Sequence, residues 1–202
     1  MRVDHAFLES RVDLVPVDGA AARWFAEAAD LYLEAFPPEE RRDGIGASLG
    51  APRFLLESIL LDGAFAGFAT TWRLDGFTFL EHVATVPAVR GTGVGGAALR
   101  RVLARAALVV AEAEPSDRGT MAARRLAFYE GLGLLENPGD YVQPSYGVGK
   151  PPVPMRLLSS PRLLHDGERA SVTAQLEREV YGFVAPARWP GSDAGAIGRP
   201  NR

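Results

Sequence analysis

A glycine-rich turn is the first place in this 202-residue sequence where residue types and spacing suggest chemistry. It reads Arg90-Gly91-Thr92-Gly93-Val94-Gly95-Gly96 and lies where a helical pattern begins. The first N–H groups of a helix have no acceptor within the helix, and the positive end of the helix dipole points outward there. Glycines let the backbone approach an anion closely, and Arg90 adds a positive charge. The turn therefore predicts a site for phosphate or pyrophosphate.

The same turn allows two other interpretations. Gly91, Gly93 and Gly96 satisfy the G-x-G-x-x-G fingerprint of dinucleotide-binding proteins, and Glu112 follows about 20 residues later, as that fingerprint requires. However, residues 87–90 separate the turn from the preceding strand pattern, and that pattern is an antiparallel meander. A nicotinamide-dependent enzyme is therefore kept only as an alternative. In the other interpretation, the glycines serve helix packing alone.

Periodicity predicts the elements that position this turn. Alternating or continuous apolar runs predict strands over 7–16, 54–61, 65–74, 77–86, 108–113, 140–146 and 153–158. Helical spacing predicts helices over 20–36, 94–107, 120–132 and 164–183. The dipeptides Asp62-Gly63 and Asp75-Gly76 are strong hairpin signals, so the second to fourth strands form an antiparallel meander. The predicted fold class is α/β (α+β), a mixed sheet with helices on both faces.

Composition narrows the kinds of partner. The net charge is −3 and is spread without blocks, so neither nucleic acid nor a membrane surface is an expected partner. The absence of cysteine excludes a disulfide framework, a thiolate metal site and a cysteine nucleophile. The three histidines are too scattered for a metal site, and we expect none. We find no signal peptide and no membrane-spanning run, so we expect a cytoplasmic protein that binds a small molecule.

Two motifs in the expected order resemble those of the GNAT acetyltransferases. Residues 82–95, HVATVPAVRGTGVG, resemble the family signature, a strand followed by Arg or Gln and then x-x-Gly-x-Gly/Ala. Residues 124–134, RRLAFYEGLGL, resemble the later helix whose tyrosine precedes an x-x-x-Gly ending, and Tyr129 takes that place. The segments 36–41, FPPEER, and 141–146, YVQPSY, are similar to a bacterial branch. The resemblance spans about residues 5–160 and implies a twisted, mostly antiparallel central sheet.

The resemblance implies direct transfer of an acetyl group from acetyl-CoA to a primary amine in a ternary complex. Such an amine is protonated at neutral pH, so a group must remove a proton, and a carboxylate is suited to that task. Glu112 is the first candidate because Glu112-x-Glu114 resembles the branch pattern, and Glu81 is the second. Each could instead be a strand-end charge or an arginine partner. Tyr129 would protonate the departing CoA thiolate, although tyrosines on apolar helix stripes usually serve the core.

The resemblance also implies contacts for the donor and the acceptor. The pantetheine arm would run along Val83, Ala84, Thr85 and Val86, and the pyrophosphate would lie on Arg90, Gly91, Thr92, Gly93, Val94, Gly95 and Gly96. Candidate acceptor contacts are Phe36, Glu39, Glu40 and Tyr146. Because side chains alternate along a strand, His82 is expected to face away from Glu81 and to be packed or solvated.

The predicted organisation is an acetyltransferase domain over residues 1–160, a helix over 161–185 that packs on or beside it, and a tail over 186–202. The tail is rich in Pro and Gly, so we expect disorder. The last helix either covers the sheet or pairs subunits in a homodimer. A rival function is an acyl-CoA sensor or interaction module without turnover. The acceptor could be a small amine, an amino acid, an antibiotic or a peptide amine.

Overall fold

The computed structural model describes residues 5–182 and centres on an eight-stranded sheet. The strands are β1 Val12–Pro16, β2 Phe54–Leu61, β3 Ala64–Leu74, β4 Phe77–Thr85, β5 Val109–Ala113, β6 Leu135–Glu136, β7 Tyr141–Gln143 and β8 Val153–Ser160. Their order is β1-β2-β3-β4-β5-β8-β6, with β7 also paired to β8. Only β4 and β5 run parallel among these described pairs. The predicted mixed, mostly antiparallel sheet is confirmed.

Helices cover both faces of the sheet. They are α1 His5–Arg11, α2 Phe25–Ala35, α3 Val94–Leu103, α4 Thr120–Glu130 and α5 Asp166–Gln175, which continues as a π-helix over Leu176–Tyr181. Neighbouring side chains of β5 point to opposite faces of the sheet. Ala111 packs with α3 and α4 on one face, and Val110 packs with the last helix on the other. α2 lies on the same face as Val110, against Leu56 and Phe68. Within residues 5–182, no helix is long and apolar enough to cross a membrane.

Both predicted hairpins are confirmed. Asp62-Gly63 joins β2 to β3, and Asp75-Gly76 joins β3 to β4. Gly63 and Gly76 have φ angles of 77° and 89°, a left-handed conformation that glycine adopts without strain. These turns fix the order of the strands that lead to the glycine turn.

Several predicted elements differ from the structure. The strand over 7–16 begins only at Val12, because residues 5–11 form α1 and bury Leu8 against α3. The first long helix begins at Phe25, and the last helix ends in π-helical turns. The two-residue strand β6 was not predicted, because it is too short to show an apolar pattern. The predicted strand over 140–146 shortens to β7. The tail over 186–202 lies outside the described residues.

The pairing of β4 is irregular on both of its sides. β4 pairs with β5 from Thr78↔Val109 to Leu80↔Ala111, and the pairing ends there, so the strands separate beyond it. On its other side, β4 pairs His82 with Thr70 and Leu80 with Thr71, which leaves Glu81 in a β-bulge. The gap between the two parallel strands is where the candidate site lies.

Candidate active site

A cavity of about 400 Å³ fills the gap between β4 and β5. Its walls come from α2 and the loop after it, the end of β4, the end of β5, α4 and the β7–β8 region. They are formed by Glu34, Ala35, Phe36, Glu40, Glu81, His82, Val83, Ala84, Thr85, Arg90, Glu112, Ala113, Met121, Arg125, Phe128, Tyr129, Gln143, Tyr146 and Met155. A second cavity of about 340 Å³ follows the glycine turn. The two cavities share Thr85, Arg90 and Phe128, so they form one groove.

The glycine turn has the geometry of an anion-binding helix start. Gly91 and Gly93 have φ angles of 77° and 94°, and Gly93 is the residue that precedes α3. Arg90 is exposed and donates from Nε to the Thr85 carbonyl at 3.1 Å, while Nη2 lies 3.4 Å from Glu34. The predicted turn residues that line the groove are Arg90, Gly91, Gly93, Gly95 and Gly96.

Three predicted donor contacts do not line the groove. Val94 is fully buried against α1 and β1. Thr92 turns its hydroxyl to the Val89 carbonyl at 2.7 Å, and Val86 donates its N–H to Ala66 at 2.9 Å. Val83, Ala84 and Thr85 do line the cavity, as β4 separates from β5 there.

Glu112 lies on the cavity wall just beyond the last β4–β5 pair. The Tyr141 hydroxyl donates to its Oε1, and the Tyr181 hydroxyl donates to its Oε2. Burial raises the pKa of this carboxyl, the two tyrosines lower it, and the charge of Glu81 raises it, so that the pKa is about 7. A carboxyl with that pKa accepts a proton efficiently near neutral pH.

Glu81 has a different environment, although its carboxylate is also almost wholly shielded from solvent. Trp72 Nε1 donates to Oε2 at 2.8 Å, the Tyr146 hydroxyl donates to Oε1 at 3.1 Å, and Arg42 Nη2 lies 3.4 Å from Oε1. Burial alone would raise the pKa of Glu81, but the adjacent His82, the Arg42 charge and the Trp72 hydrogen bond lower it to about 2. Glu81 is therefore ionised at neutral pH and held by Trp72, Tyr146 and Arg42.

Tyr129 projects from α4 and lines the cavity opposite β4. Only 7% of it is exposed, and burial raises the pKa of its hydroxyl. Within residues 5–182, that hydroxyl forms no side-chain hydrogen bond. A protonated phenol without a partner can donate to a group that enters the cavity.

The remaining glutamate of the sequence analysis, Glu114, lies outside the cavity lining. Its Oε2 is 3.0 Å from Arg125 Nη1, so it forms an ion pair with that arginine. Arg125 itself lines the cavity. Glu114 thus orients a cavity residue instead of facing the cavity.

The expected orientation of His82 is wrong. The bulge at Glu81 breaks the alternation of β4, so both side chains face the cavity, and His82 Nδ1 lies 3.7 Å from Glu81 Oε2. The expected packing is confirmed, since His82 is 4% exposed and its ring contacts Phe36 with a centroid distance of 4.5 Å. Its Nε2 lies 3.0 Å from the Glu40 carbonyl, which can only accept, so Nε2 carries a proton.

Three of the four predicted acceptor contacts, Phe36, Glu40 and Tyr146, line the cavity. Burial and the neighbouring Glu114 raise the pKa of Glu40. Glu39 is not part of the lining, and its backbone carbonyl accepts a hydrogen bond from Gln143 at 3.4 Å.

Sequence reasoning missed the residues that hold the two cavity carboxylates. Tyr141 lies within segment 141–146 and Arg42 directly follows segment 36–41, and both segments resemble the bacterial branch. The resemblance therefore marked the right segments, but the residues chosen from them were neighbours of Tyr141 and Arg42. Trp72 gave no signal because it looked like an ordinary core residue. Tyr181 gave none either, because 69 positions separate it from Glu112.

The dinucleotide interpretation is overturned. A short 3₁₀ turn over Pro87–Val89 separates β4 from the glycines, and the described strands contain a single parallel pair. A dinucleotide-binding fold places the glycines directly after a strand of a parallel sheet. Among the described residues there is also no group of three or more His, Asp or Glu side chains arranged for a metal ion.

An acetyltransferase type of domain is defined by three features: a sheet that opens between two parallel strands, the glycine turn, and the tyrosine that faces the gap. Residues 21–133 match the model of the Acetyltransferase (GNAT) family, and the chain belongs to that family. A GNAT-family protein from Bacteroides thetaiotaomicron is similar over 85% of this chain and 99% of its own, with 30% identity and a TM-score of 0.77. No curated protein matches the chain.

More distant solved structures share the fold. One is a GNAT-family acetyltransferase from Elizabethkingia anophelis with acetyl-CoA bound, at 17% identity and a TM-score of 0.51, covering 74% of this chain and 97% of that one. Another is Naa50 from Arabidopsis thaliana in complex with the bisubstrate analogue CoA-Ac-MVNAL. It has 13% identity and a TM-score of 0.53, with coverage of 75% and 99%.

Proposed function

We propose that this protein is an N-acetyltransferase that moves the acetyl group of acetyl-CoA directly to a primary amine in a ternary complex. The observation that carries the proposal is the continuous groove from the glycine turn to the gap between β4 and β5. At one end the groove offers an anion-binding helix start, and at the other it presents a proton acceptor and a proton donor, Glu112 and Tyr129.

The donor follows from the shape and chemistry of the groove. The N–H groups at the start of α3 and Arg90 would hold the pyrophosphate of CoA. The pantetheine arm would lie along residues 83–85, with Met121 and Phe128 of α4 on the other side. The Elizabethkingia relative holds acetyl-CoA, which supports this donor.

We assign the proton steps to Glu112 and Tyr129, which both line the cavity. Glu112 takes a proton from the ammonium form of the amine, the neutral nitrogen then attacks the thioester carbonyl carbon, and the carbon–sulfur bond breaks. The departing CoA thiolate takes the proton of Tyr129, and the proton that the nitrogen loses on becoming an amide restores Tyr129. Glu112 then releases its proton to solvent.

Glu112 is preferred to Glu81 as the base, because a pKa of about 7 suits proton acceptance. Glu81 is instead held by Trp72, Tyr146 and Arg42 and has a pKa of about 2.

The amine would enter from the side of Phe36, Glu40 and Tyr146. The analogue bound by Naa50 joins CoA to a peptide, which supports an amine acceptor of the peptide type. Small diamines, amino acids and aminoglycoside antibiotics belong in the same screen.

Thiol release tests the activity directly. The chain contains no cysteine, so a thiol reagent reports free CoA without background from the protein. With an acceptor from the screen, we expect Tyr129→Phe to lose about 10²–10⁴-fold in kcat, because the leaving thiolate loses its acid. The Kd of acetyl-CoA, measured by calorimetry, should stay close to the wild-type value.

Glu112→Gln should lose a similar factor, and Glu27→Gln is its matched control because Glu27 is exposed on α2 and lies outside the cavity lining. Unchanged turnover in Tyr129→Phe would remove this tyrosine from the mechanism. Tight binding of acetyl-CoA without turnover on any amine would instead favour a sensor or interaction module.

A further inference from the structure

The last helix reaches the candidate site from beyond residues 21–133, the part of the chain that matches the family model. The Tyr181 hydroxyl donates to Glu112 Oε2. The neighbouring Val180 carbonyl accepts from Arg42 Nη2 at 2.6 Å, and the same nitrogen lies 3.4 Å from Glu81. Two consecutive residues of one helix therefore contact the networks of both cavity carboxylates.

Packing fixes this end of the helix. Leu176 and Val180 are fully buried in the cluster that contains Trp72 and Val110. The Tyr181 ring lies 4.9 Å from the Tyr146 ring, centroid to centroid. The hydroxyl of Tyr181 is thus placed by core packing and not by a mobile loop.

Glu112 receives one phenol on each oxygen. Tyr141 donates from β7 to Oε1, and Tyr181 donates from the last helix to Oε2. Because the donors come from two separate elements, rotation of the carboxyl group would break at least one hydrogen bond. This arrangement fixes the orientation of the carboxylate on the cavity wall.

We propose that Tyr181 and Tyr141 are positioning residues for Glu112, so that the last helix is a working part of the catalytic site. The proposal rests on the proposed function in one respect, the role of Glu112 as base. It also makes a claim that needs no turnover, namely that both hydroxyls stabilise the ionised carboxylate.

Among the described residues, the charged and titratable groups that interact with Glu112 lie on β4, β7, the last helix and the β7–β8 loop, which carries Tyr146. Tyr141 and Tyr181 lower its pKa by donating hydrogen bonds, Glu81 of β4 raises it, and His82 of β4 lowers it. Removing either donor therefore raises the pKa of Glu112. A hydrogen bond to a charged group is strong enough to move the midpoint of titration upward by about one pH unit.

The test is a carbon-13 NMR titration of the glutamate side-chain carboxyls in the full chain. The Glu112 signal is assigned by its loss in Glu112→Gln. Tyr181→Phe and Tyr141→Phe each keep the ring and remove the hydroxyl, and each should raise the Glu112 midpoint by about one unit. Tyr146→Phe is the matched control, because it removes a hydroxyl bound to Glu81 instead, and it should leave that midpoint in place.

An unmoved midpoint in Tyr181→Phe would overturn the role of the last helix, and an equal rise in Tyr146→Phe would overturn the assignment to specific hydroxyls. With an acceptor in hand, the rising limb of kcat/KM against pH should move upward with the NMR midpoint. If Tyr181→Phe raises the Glu112 midpoint but Glu112→Gln leaves the rate unchanged, Tyr181 does position Glu112 and Glu112 is not the base. The two proposals can therefore fail separately.

Discussion

Glu81 and Glu112 line one cavity but differ in charge state at neutral pH. Glu81 accepts from Trp72 and Tyr146 and lies beside Arg42, which holds its pKa at about 2. Within residues 5–182, Glu112 accepts hydrogen bonds from two phenols and forms no ion pair, so burial dominates and its pKa is about 7. Environments that push the pKa values of two neighbouring carboxyls apart give each a distinct role.

The raised pKa of Glu112 predicts a pH-dependent contribution to stability. The folded-state pKa is about 7 against an ordinary value of 4.5, so folding favours the protonated form. The contribution is fully present below pH 4.5 and is lost as the pH rises through about 7. The free energy of unfolding of the wild type, relative to Glu112→Gln, should fall by roughly 3 kcal/mol over that window.

Urea unfolding at several pH values measures this difference. A difference for Glu112→Gln that stays flat between pH 5 and pH 8 would show that Glu112 titrates normally.

Among the elements, β4 does most to build the site. Its bulge turns Glu81 and His82 together into the cavity, and its separation from β5 opens the gap. The end of β4 is held close to β3 at Gly67, where an added Cβ would lie 2.1 Å from the Ala84 carbonyl oxygen. Gly67 thus allows the backbone of the cavity wall to pack where any side chain would collide.

Gly67→Ala should therefore displace β4 at Ala84 and Thr85. We expect a loss of about 1–3 kcal/mol or more in the free energy of unfolding and weaker acetyl-CoA binding, because both residues line the cavity. Gly44→Ala is the matched control, since its Cβ would meet nothing within 4 Å. Equal stability and equal Kd for the two variants would contradict the close approach.

Local sequence patterns determined much of the meander and the helices but not these irregularities. Aspartate–glycine hairpins and helical spacing are local signals, and they correctly predicted β2, β3, β4, α3 and α4. The bulge at Glu81 has no local signal, because it depends on how β3 and β4 pair. The error about His82 followed directly from assuming an unbroken alternation.

In the whole molecule, the last helix is a core element that also contacts residues holding the two cavity carboxylates. Sequence periodicity predicted the helix and left open whether it covers the sheet or pairs subunits. In the structure, Val172, Leu176 and Val180 are buried against the sheet. Its contacts with Arg42 and Glu112 could not be predicted, because no local pattern links residues so far apart in the chain.

Leu176→Ala tests the helix as a core element. Leu176 is fully buried, so its truncation should reduce the free energy of unfolding by about 2–5 kcal/mol, measured in urea. Leu163→Ala is the control, because Leu163 is 43% exposed, and it should cost far less. Similar losses in both variants would show that the helix does not pack on the sheet in solution.

The central claim is that the groove binds an acyl-CoA, and calorimetric titration with acetyl-CoA, CoA and NAD tests it before any acceptor is known. We expect both CoA compounds to bind at a single site, because both carry the pyrophosphate and pantetheine arm that fit the groove. NAD should give no heat, because the pantetheine contacts have no counterpart in it. Heat with NAD alone, or with none of the three, would contradict the account.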